Sequence, residues 1–162
     1  MNKFVVAAIF FALFSIASAS EVVLKVDLSP VGDFNATTTK TRGRIIQKGD
    51  KLLAKKLSVN VRNLKTGVKL RDEHLHKKLR FKKYKQIELL NVSASNGKGV
   101  GTLKVMGKKK KVKLRYKLKK NKVEAEFKFK LSDFGITGVE YMGVGVQDEA
   151  IVQASWNVKK AK

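Results

Sequence analysis

The sequence predicts an all-β fold: an antiparallel β-barrel of about eight strands with one short helix or helical loop. After residue 20, apolar and polar residues mostly alternate with a period of two, the pattern of strands that bury one face. Helix signals are weak by comparison. Closure into a barrel removes the exposed edges of so many antiparallel strands. Such a barrel holds either a packed core or one elongated ligand.

The N-terminal segment has the features of a signal peptide. Lys3 is basic, and the apolar run from Phe4 to Ala17 is about 14 residues long, short of the ~20 residues that span a bilayer. Ala17-Ser18-Ala19 then offers a small-x-small cleavage pattern. We therefore predict a signal peptide over residues 1–19 and a single domain over residues 20–162, located in the periplasm or outside the cell. An uncleaved membrane anchor is the alternative.

The alternating pattern predicts the strands in chain order. It covers Val22–Leu28, Leu57–Val61, Leu103–Val105 and Ala150–Val158, and Arg42–Gln47 and Gln86–Val92 could also be strands. The run of Gly97, Gly99 and Gly101 is interpreted as a hairpin turn, because it lacks the following helix of a nucleotide-binding loop.

The clearest element is a hairpin with a turn at Lys120 and Asn121. This turn opposes residues whose numbers sum to 241, so that Leu118 faces Val123, Tyr116 faces Ala125 and Leu114 faces Phe127. The same register pairs Lys117 with Glu124 and Arg115 with Glu126 on the other face. Because the apolar and the charged patterns select one register, the hairpin is well specified.

One segment has a helical spacing. Leu75 and Leu79 lie four residues apart between Asp72 and Lys83, and Asp72 is a suitable residue to cap a first turn. We predict one short helix or helical loop there.

Composition restricts the class of partner. The chain has 36 Lys and Arg against 13 Asp and Glu, a net charge of +23, and the predicted mature chain keeps +22. This imbalance indicates an anionic partner or surface. The absence of Cys excludes disulfides, thiolate zinc sites, a cysteine nucleophile and lipid attachment through an N-terminal cysteine.

Catalytic patterns are lacking. His74 and His76 would point to one side of a strand, but no further ligand completes a metal set, and no Gly-x-Ser-x-Gly elbow is present. Paired carboxylates are available only as Asp133 with Glu140 or Asp148 with Glu149, which are more typical of solvated loops. We therefore expect a protein that is not an enzyme and binds no metal.

Basic residues are unevenly distributed. Lys108, Lys109, Lys110 and Lys111 form an uninterrupted run at the predicted end of a hairpin, and a second cluster extends from Lys77 to Lys85. We expect the run to contact an anionic membrane surface; general solvation of the barrel exterior is the alternative. Nucleic acid is disfavoured, because Tyr116, Phe127 and Phe129 share the inward parity and are poorly placed for base stacking.

Four motifs in order resemble the YceI-like periplasmic family, which binds polyisoprenoid lipids. They are Asp27-x-Ser29-x-Val31-Gly32-x-Phe34, Arg71-Asp72-Glu73-His74-Leu75, Gly101-Thr102-Leu103-x-x-x-Gly107 and Ser132-Asp133-Phe134-Gly135-Ile136. The resemblance extends from about Leu24 to Val158. The chain departs from the family pattern at Arg80-Phe81-Lys82, which lacks the family's acidic residue, and at Tyr84-Lys85-Gln86, which replaces Tyr-Pro.

The resemblance implies a lipocalin-like barrel around an apolar tunnel for a long isoprenoid chain, such as a quinone tail. The expected function is that of a carrier or scavenger, with no cofactor other than such a bound lipid. Ordinary core packing is the alternative for each residue expected to contact the lipid. The expected lipid-binding residues are Val26, Phe34, Leu57, Val59, Val61, Leu103, Val105, Leu114, Tyr116, Phe127, Phe129, Phe134 and Trp156.

Three polar residues of the second motif are expected at the mouth of the tunnel. Arg71, Asp72 and His74 would shape this mouth or hold a polar head group, and a capped, salt-bridged loop is the alternative. The alternative function is a basic interaction protein that docks on anionic lipid, acidic polysaccharide or nucleic acid without an internal ligand. The sequence leaves open whether a homodimer covers the tunnel.

Overall fold

The computed structural model describes residues 20–29, 32–141 and 143–162, so the predicted signal peptide lies outside the described residues. The all-β prediction is confirmed: strands dominate, with one α-helix, α1 (Lys69–Lys78), and two 3-10 turns, Val61–Asn63 and Leu131–Phe134. The strands are β1 (Glu21–Ser29), β2 (Asp33–Thr38), β3 (Thr41–Gly43), β4 (Ile45–Lys48), β5 (Lys51–Asn60), β6 (Gln86–Ser95), β7 (Lys98–Val105), β8 (Lys108–Lys119), β9 (Lys122–Lys130), β10 (Glu140–Tyr141) and β11 (Val144–Lys160).

The sheet closes on itself. Strands β4 to β9 follow one another as neighbours, and β11 pairs with both β9 and β4, which gives a closed barrel of seven strands. The hairpin of β1 and β2 extends the sheet through antiparallel pairing of β1 with β11. One pairing departs from the predicted antiparallel arrangement, because β11 runs parallel to β4 from Val158 to Lys160.

The predicted register of the β8–β9 hairpin is confirmed. Leu118 pairs with Val123, Tyr116 with Ala125 and Leu114 with Phe127. The turn residue Lys120 has a φ of 54°, a left-handed conformation that suits a tight hairpin. Beyond Leu114 and Phe127 the pairing ends, and the second 3-10 turn contacts both strands.

The wall formed by β5 and β6 changes its inward face part-way along. Leu52 and Ala54 are buried at even positions of β5, whereas Leu57 and Val59 are buried at odd positions. Asn91 of β6 has a φ of 51°, and the pairing of β6 with β7 shifts by one residue between Leu90 and Ser93. A bulge of this kind turns a strand and redirects its side chains. Leu57 and Val59 therefore face inward, as their sequence parity predicts.

The glycine run is only partly a turn, which corrects the prediction. Asn96 and Gly97 form the turn, whereas Gly99 and Gly101 lie within β7. A Cβ atom at Gly99 would lie 2.5 Å from the Cβ of Ala94, so close strand contact requires glycine at this position.

Helix α1 begins earlier than predicted, and Asp72 is not its cap. Val68 precedes the first turn and makes no side-chain capping hydrogen bond. Asp72 lies inside the helix, and its Oδ1 accepts hydrogen bonds from the backbone N–H of Thr66 at 2.6 Å and from its hydroxyl at 2.7 Å. The carboxylate therefore holds the preceding loop against the helix.

The helix lies at the barrel end where β5, β7 and β9 finish. It follows β5 through the first 3-10 turn, and Lys78 Nζ donates a hydrogen bond at 2.8 Å to the carbonyl of Thr137, which follows β9. We call α1 and its flanking residues, from Arg62 to Lys85, the lid segment. Among the described residues, no helix is long and apolar enough to cross a membrane.

Candidate ligand-binding cavity

The barrel encloses a cavity of about 530 Å³, within the size range of small-molecule binding sites. Its walls come from the inward faces of the strands, from α1 and from the segment between β9 and β11. Nearly all lining side chains are apolar. Such a surface binds an apolar molecule through burial and offers few polar groups to fix its orientation.

Most of the expected lipid-binding residues line this cavity. Eleven of the thirteen do so: Val26, Phe34, Leu57, Val59, Leu103, Val105, Leu114, Tyr116, Phe127, Phe129 and Trp156. The period-two parity brings them together, because alternate residues of neighbouring strands share the inner face of the sheet.

Val61 and Phe134 lie outside the lining. Each is 1% exposed and belongs to a 3-10 turn. The strand parity that predicted an inward Val61 no longer applies in such a turn, and the expectation for Phe134 rests on its motif alone. The ring of Phe134 meets that of Phe129 edge to face, with centroids 5.6 Å apart. Phe134 therefore supports a lining residue from behind.

The turn that carries Phe134 is held by a carboxylate of β11. Ser132 donates its backbone N–H to Asp148 Oδ1 at 2.7 Å and its hydroxyl to Oδ2 at 2.6 Å. These hydrogen bonds, with that of the hydroxyl the stronger influence, lower the pKa of the Asp148 carboxyl. Asp148 and Ser132 thus fix the start of the segment that closes the cavity behind β9.

Several lining residues escaped the sequence reasoning. Leu75, Lys78 and Leu79 of the lid segment line the cavity, as do Ile136 and Val139 after β9. The spacing of Arg71, His74, Leu75 and Lys78 is i, i+3, i+4, i+7, which marks one helix face and was a usable signal. Ile136 and Val139 lie outside regular elements, so no periodicity points to them.

The lid segment forms one rim of the cavity. Arg71 and His74 line it, and the Arg71 guanidinium lies 5.1 Å from the ring centroid of Phe34 on β2. His76 is turned away from the cavity, because its Nε2 lies 2.9 Å from the carbonyl oxygen of Leu64. Glu140 contributes an acidic group to the lining. Charged groups are thus present at the rim of the cavity.

Asp72, the third expected mouth residue, lies outside the lining. Its side chain is 13% exposed and lies 3.9 Å from Lys65 Nζ. Partial burial acts to raise the pKa of Asp72, but the hydrogen bonds from Thr66, with the charges of Lys65 and His76, lower it on balance. Asp72 therefore positions the helix that carries Arg71 and His74.

We expect Asp72→Asn to destabilise the protein by about 1–2 kcal/mol at neutral pH, because hydrogen bonds to a charged acceptor are worth more than those to a neutral one. The pKa of Asp72 is lower in the folded protein than in the unfolded chain, where it is taken as 3.8. The charged carboxylate therefore stabilises the fold at pH values above 3.8, and this stabilisation is lost as the pH falls through the folded-state pKa. Urea unfolding of both proteins at neutral and strongly acidic pH should therefore show a gap that closes in acid. A gap independent of pH would contradict this role.

The run from Lys108 to Lys111 starts β8 and is exposed, outside the cavity lining. Lys109 pairs with Lys104 of β7 and Lys111 with Thr102 on the outer face. Glu88 contacts Lys104 at 3.2 Å and also contacts Lys56. Hydrogen bonding from Lys56, followed by that from Lys104, lowers the pKa of the Glu88 carboxyl.

The described residues contain no group of three or more His, Cys, Asp or Glu side chains placed to hold a metal ion. His74 and His76 lie on α1, two residues apart, and point in different directions. The shared orientation considered for them on a strand is therefore wrong, because the segment is helical.

The comparisons with known proteins agree with this architecture. A family model described as a YceI-like domain matches residues 15–158. No curated protein matches the sequence significantly. Solved structures are similar in fold: that of Burkholderia cenocepacia BcnA has a TM-score of 0.67 at 17% identity, and the alignment covers 84% of this chain and 94% of that one.

Two further structures are similar over most of their length. A polyisoprenoid-binding domain from Saccharophagus degradans, implicated in plant cell wall breakdown, has a TM-score of 0.60 at 10% identity, with 85% of this chain and 93% of that chain covered. A YceI protein of Campylobacter jejuni has a TM-score of 0.55 at 18% identity, with coverages of 78% and 86%. At these identities the likeness shows the fold.

Proposed function

The chain belongs to the YceI-like family, and on that premise we propose that it is an exported carrier or scavenger that holds a polyisoprenoid or similar long apolar chain inside its barrel. The observation that carries the proposal is the apolar cavity of about 530 Å³. A structurally similar domain is described as polyisoprenoid-binding, which supports the same class of ligand.

The chemistry of the lining favours a hydrocarbon chain over a polar metabolite. Side chains such as Leu114, Phe127 and Trp156 offer contact area but few hydrogen-bonding groups. Each buried CH2 group contributes about 0.8 kcal/mol, so affinity should rise with tail length. Arg71, His74 and Lys78 at the rim would meet a polar or anionic head group while the tail lies inside.

The proposed export rests on the sequence features of residues 1–19. A short basic start, an apolar run and a small-x-small site are typical of a secretory signal. Without Cys, the mature chain needs no oxidative folding in the periplasm or outside the cell.

Native mass spectrometry of the purified mature protein, followed by solvent extraction, tests the proposed function. We expect a protein population that carries an added apolar mass, released on extraction and identified as a prenol, a quinone or a related lipid. Emptied protein should then bind prenols with an affinity that increases with chain length. A protein that carries nothing and binds no quinone or prenol would refute the carrier role. The same spectra report whether the protein dimerises.

A barrel that acts only through its basic exterior is the competing function. On the outer face of β7 and β8, cations lie directly opposite each other: Lys98 faces Arg115, and Lys104 faces Lys109. Because like charges at such positions repel, this face favours contact with an anionic partner. This function predicts binding that falls with salt and ignores tail length. The carrier predicts the opposite dependence, so the tail-length series separates the two.

A further inference from the structure

The lid segment is strongly basic. Residues 62–85 contain ten Lys and Arg but only two acidic residues, a net charge of +8. One of the acids, Asp72, is engaged by Thr66 and leaves Glu73 as the exposed acid of this segment. The lid segment therefore presents a strongly positive surface.

Aromatic rings support several of these cations. The Arg62 guanidinium lies 5.8 Å from the ring centroid of Phe81. Arg80 and Lys83 lie 5.9 Å and 5.3 Å from the ring centroid of Tyr84. Tyr84 in turn packs near the β7–β8 turn, because a Cβ atom at Gly107 would lie 3.3 Å from its ring. Contacts with aromatic rings therefore hold several of the basic side chains of the lid segment in place.

Two large apolar side chains are exposed beside these cations. Val68 is 43% exposed and Leu70 is 49% exposed. On α1, Lys69 lies on the side opposite the cavity-lining residues, whereas Leu70 and Lys77 lie at the edge of that face, next to His74. Lys and Arg near an anionic bilayer contribute about 1 kcal/mol each, and exposed apolar side chains among them add burial in the head-group layer.

We propose that the lid segment docks on an anionic phospholipid bilayer, with Val68 and Leu70 entering the head-group layer and the surrounding Lys and Arg contacting lipid phosphates. This proposal rests on the proposed function of a lipid carrier. Docking through this face places the rim formed by Arg71, His74 and Lys78 next to the bilayer, from which the apolar chain would enter the cavity. The lid segment is thus the surface through which the ligand is exchanged with a membrane.

The outer wall of β8 is the rival basic surface. Lys109, Lys111 and Lys113 are exposed there, and Val100 of β7 beside them is 53% exposed. However, these lysines lie outside the cavity lining, and their neighbour Lys104 contacts Glu88. The two surfaces offer a matched comparison, because each can lose three lysines without a change in the cavity lining.

Vesicle flotation tests the proposal by charge. The mature protein is mixed with vesicles of phosphatidylcholine alone or of phosphatidylcholine and phosphatidylglycerol in equal parts, at low and high salt. We expect binding only to the anionic vesicles, with loss at high salt. The triple variant Lys69→Gln, Lys77→Gln, Lys82→Gln should bind on the order of 100-fold more weakly, from about 1 kcal/mol per lysine. The variant Lys109→Gln, Lys111→Gln, Lys113→Gln should retain binding.

A second comparison tests the apolar contact. Leu70→Gln keeps a good helix former and should weaken vesicle binding by about tenfold, because the Leu side chain no longer enters the bilayer. Val100→Thr, at the equally exposed wall position, should have no effect. Loss of binding by the wall variants, equal loss by both sets, or no binding of the native protein to anionic vesicles would overturn the proposal.

The failure of docking and the failure of ligand binding are distinguishable. Extraction and mass spectrometry on the same preparations report bound lipid independently of vesicles. Bound lipid in a protein that ignores anionic vesicles would overturn docking alone. Vesicle binding by an empty protein that takes up no prenol would overturn the carrier function.

Discussion

Replacing Ala125 with Trp is expected to abolish lipid binding while the barrel stays folded. Ala125 of β9 and Ala154 of β11 are directly opposed, and both line the cavity. Small side chains at this pair leave space in the middle of the cavity, and an indole ring would fill it. We expect bound lipid, measured by extraction and mass spectrometry, to fall at least tenfold relative to the native protein.

The matched control is Ser155→Trp. Ser155 follows Ala154 on β11 and pairs with Glu124, so the alternation of the strand directs it to the outer face. This variant adds the same ring outside the barrel and should keep its lipid. Circular dichroism and the urea midpoint verify that both variants fold. Unchanged lipid content in folded Ala125→Trp would contradict the assignment of the cavity as the lipid site.

The success of the period-two pattern has a physical reason that the β8–β9 hairpin illustrates. A slip of one residue would turn Leu114 and Tyr116 outward and place Arg115 and Lys117 inside, away from Glu126 and Glu124. Burial and charge therefore both penalise a slip of one residue. Predicting inward residues from parity succeeds wherever a strand remains regular, as at Trp156 of β11.

Parity fails where the strand ends or bends. Val61 continues the parity of Leu57 and Val59 but lies in a 3-10 turn with about three residues per turn. Phe134, expected from its motif and not from parity, lies in the second such turn. The start of α1 was also beyond local reasoning, because Asp72 looks like a cap and instead accepts hydrogen bonds from Thr66, six residues earlier. Such contacts depend on loop conformation, which residue propensities do not encode.

The strand pattern alone does not predict the cavity, which was expected only from the family resemblance. An apolar inward set such as Leu103, Val105 and Leu114 fits a packed core and a ligand site equally well. Whether the interior is a packed core or a ligand site depends on the distance between the walls and on small residues such as Ala125 and Ala154. The space that these residues leave is visible only in the folded barrel. The charge pattern alone also does not indicate which basic residues lie near the cavity. Lys108 to Lys111 form the longest basic run but lie outside the lining, whereas the lid segment is both basic and part of the cavity rim.

The largest loss of stability is expected from Phe134→Ala. Phe134 is 1% exposed and packs edge to face on Phe129 with ring centroids 5.6 Å apart. Truncation of a buried Phe typically costs about 3–5 kcal/mol, of which a ring pair accounts for only about 0.5–1.5 kcal/mol, so lost burial and the void left behind dominate. Urea unfolding measures the change.

Phe34→Ala is the control for this prediction. Phe34 is half-buried, lines the open cavity and contacts the Arg71 guanidinium at 5.1 Å, so its removal enlarges an existing space and leaves no new closed void. We expect a loss of about 1 kcal/mol, in the range of an exposed cation–π contact with a small burial term. Equal losses for the two variants would show that Phe134 does not support the cavity wall as the packing indicates. A large loss for Phe134→Ala alone would establish that the turn behind β9 stabilises the barrel around its cavity.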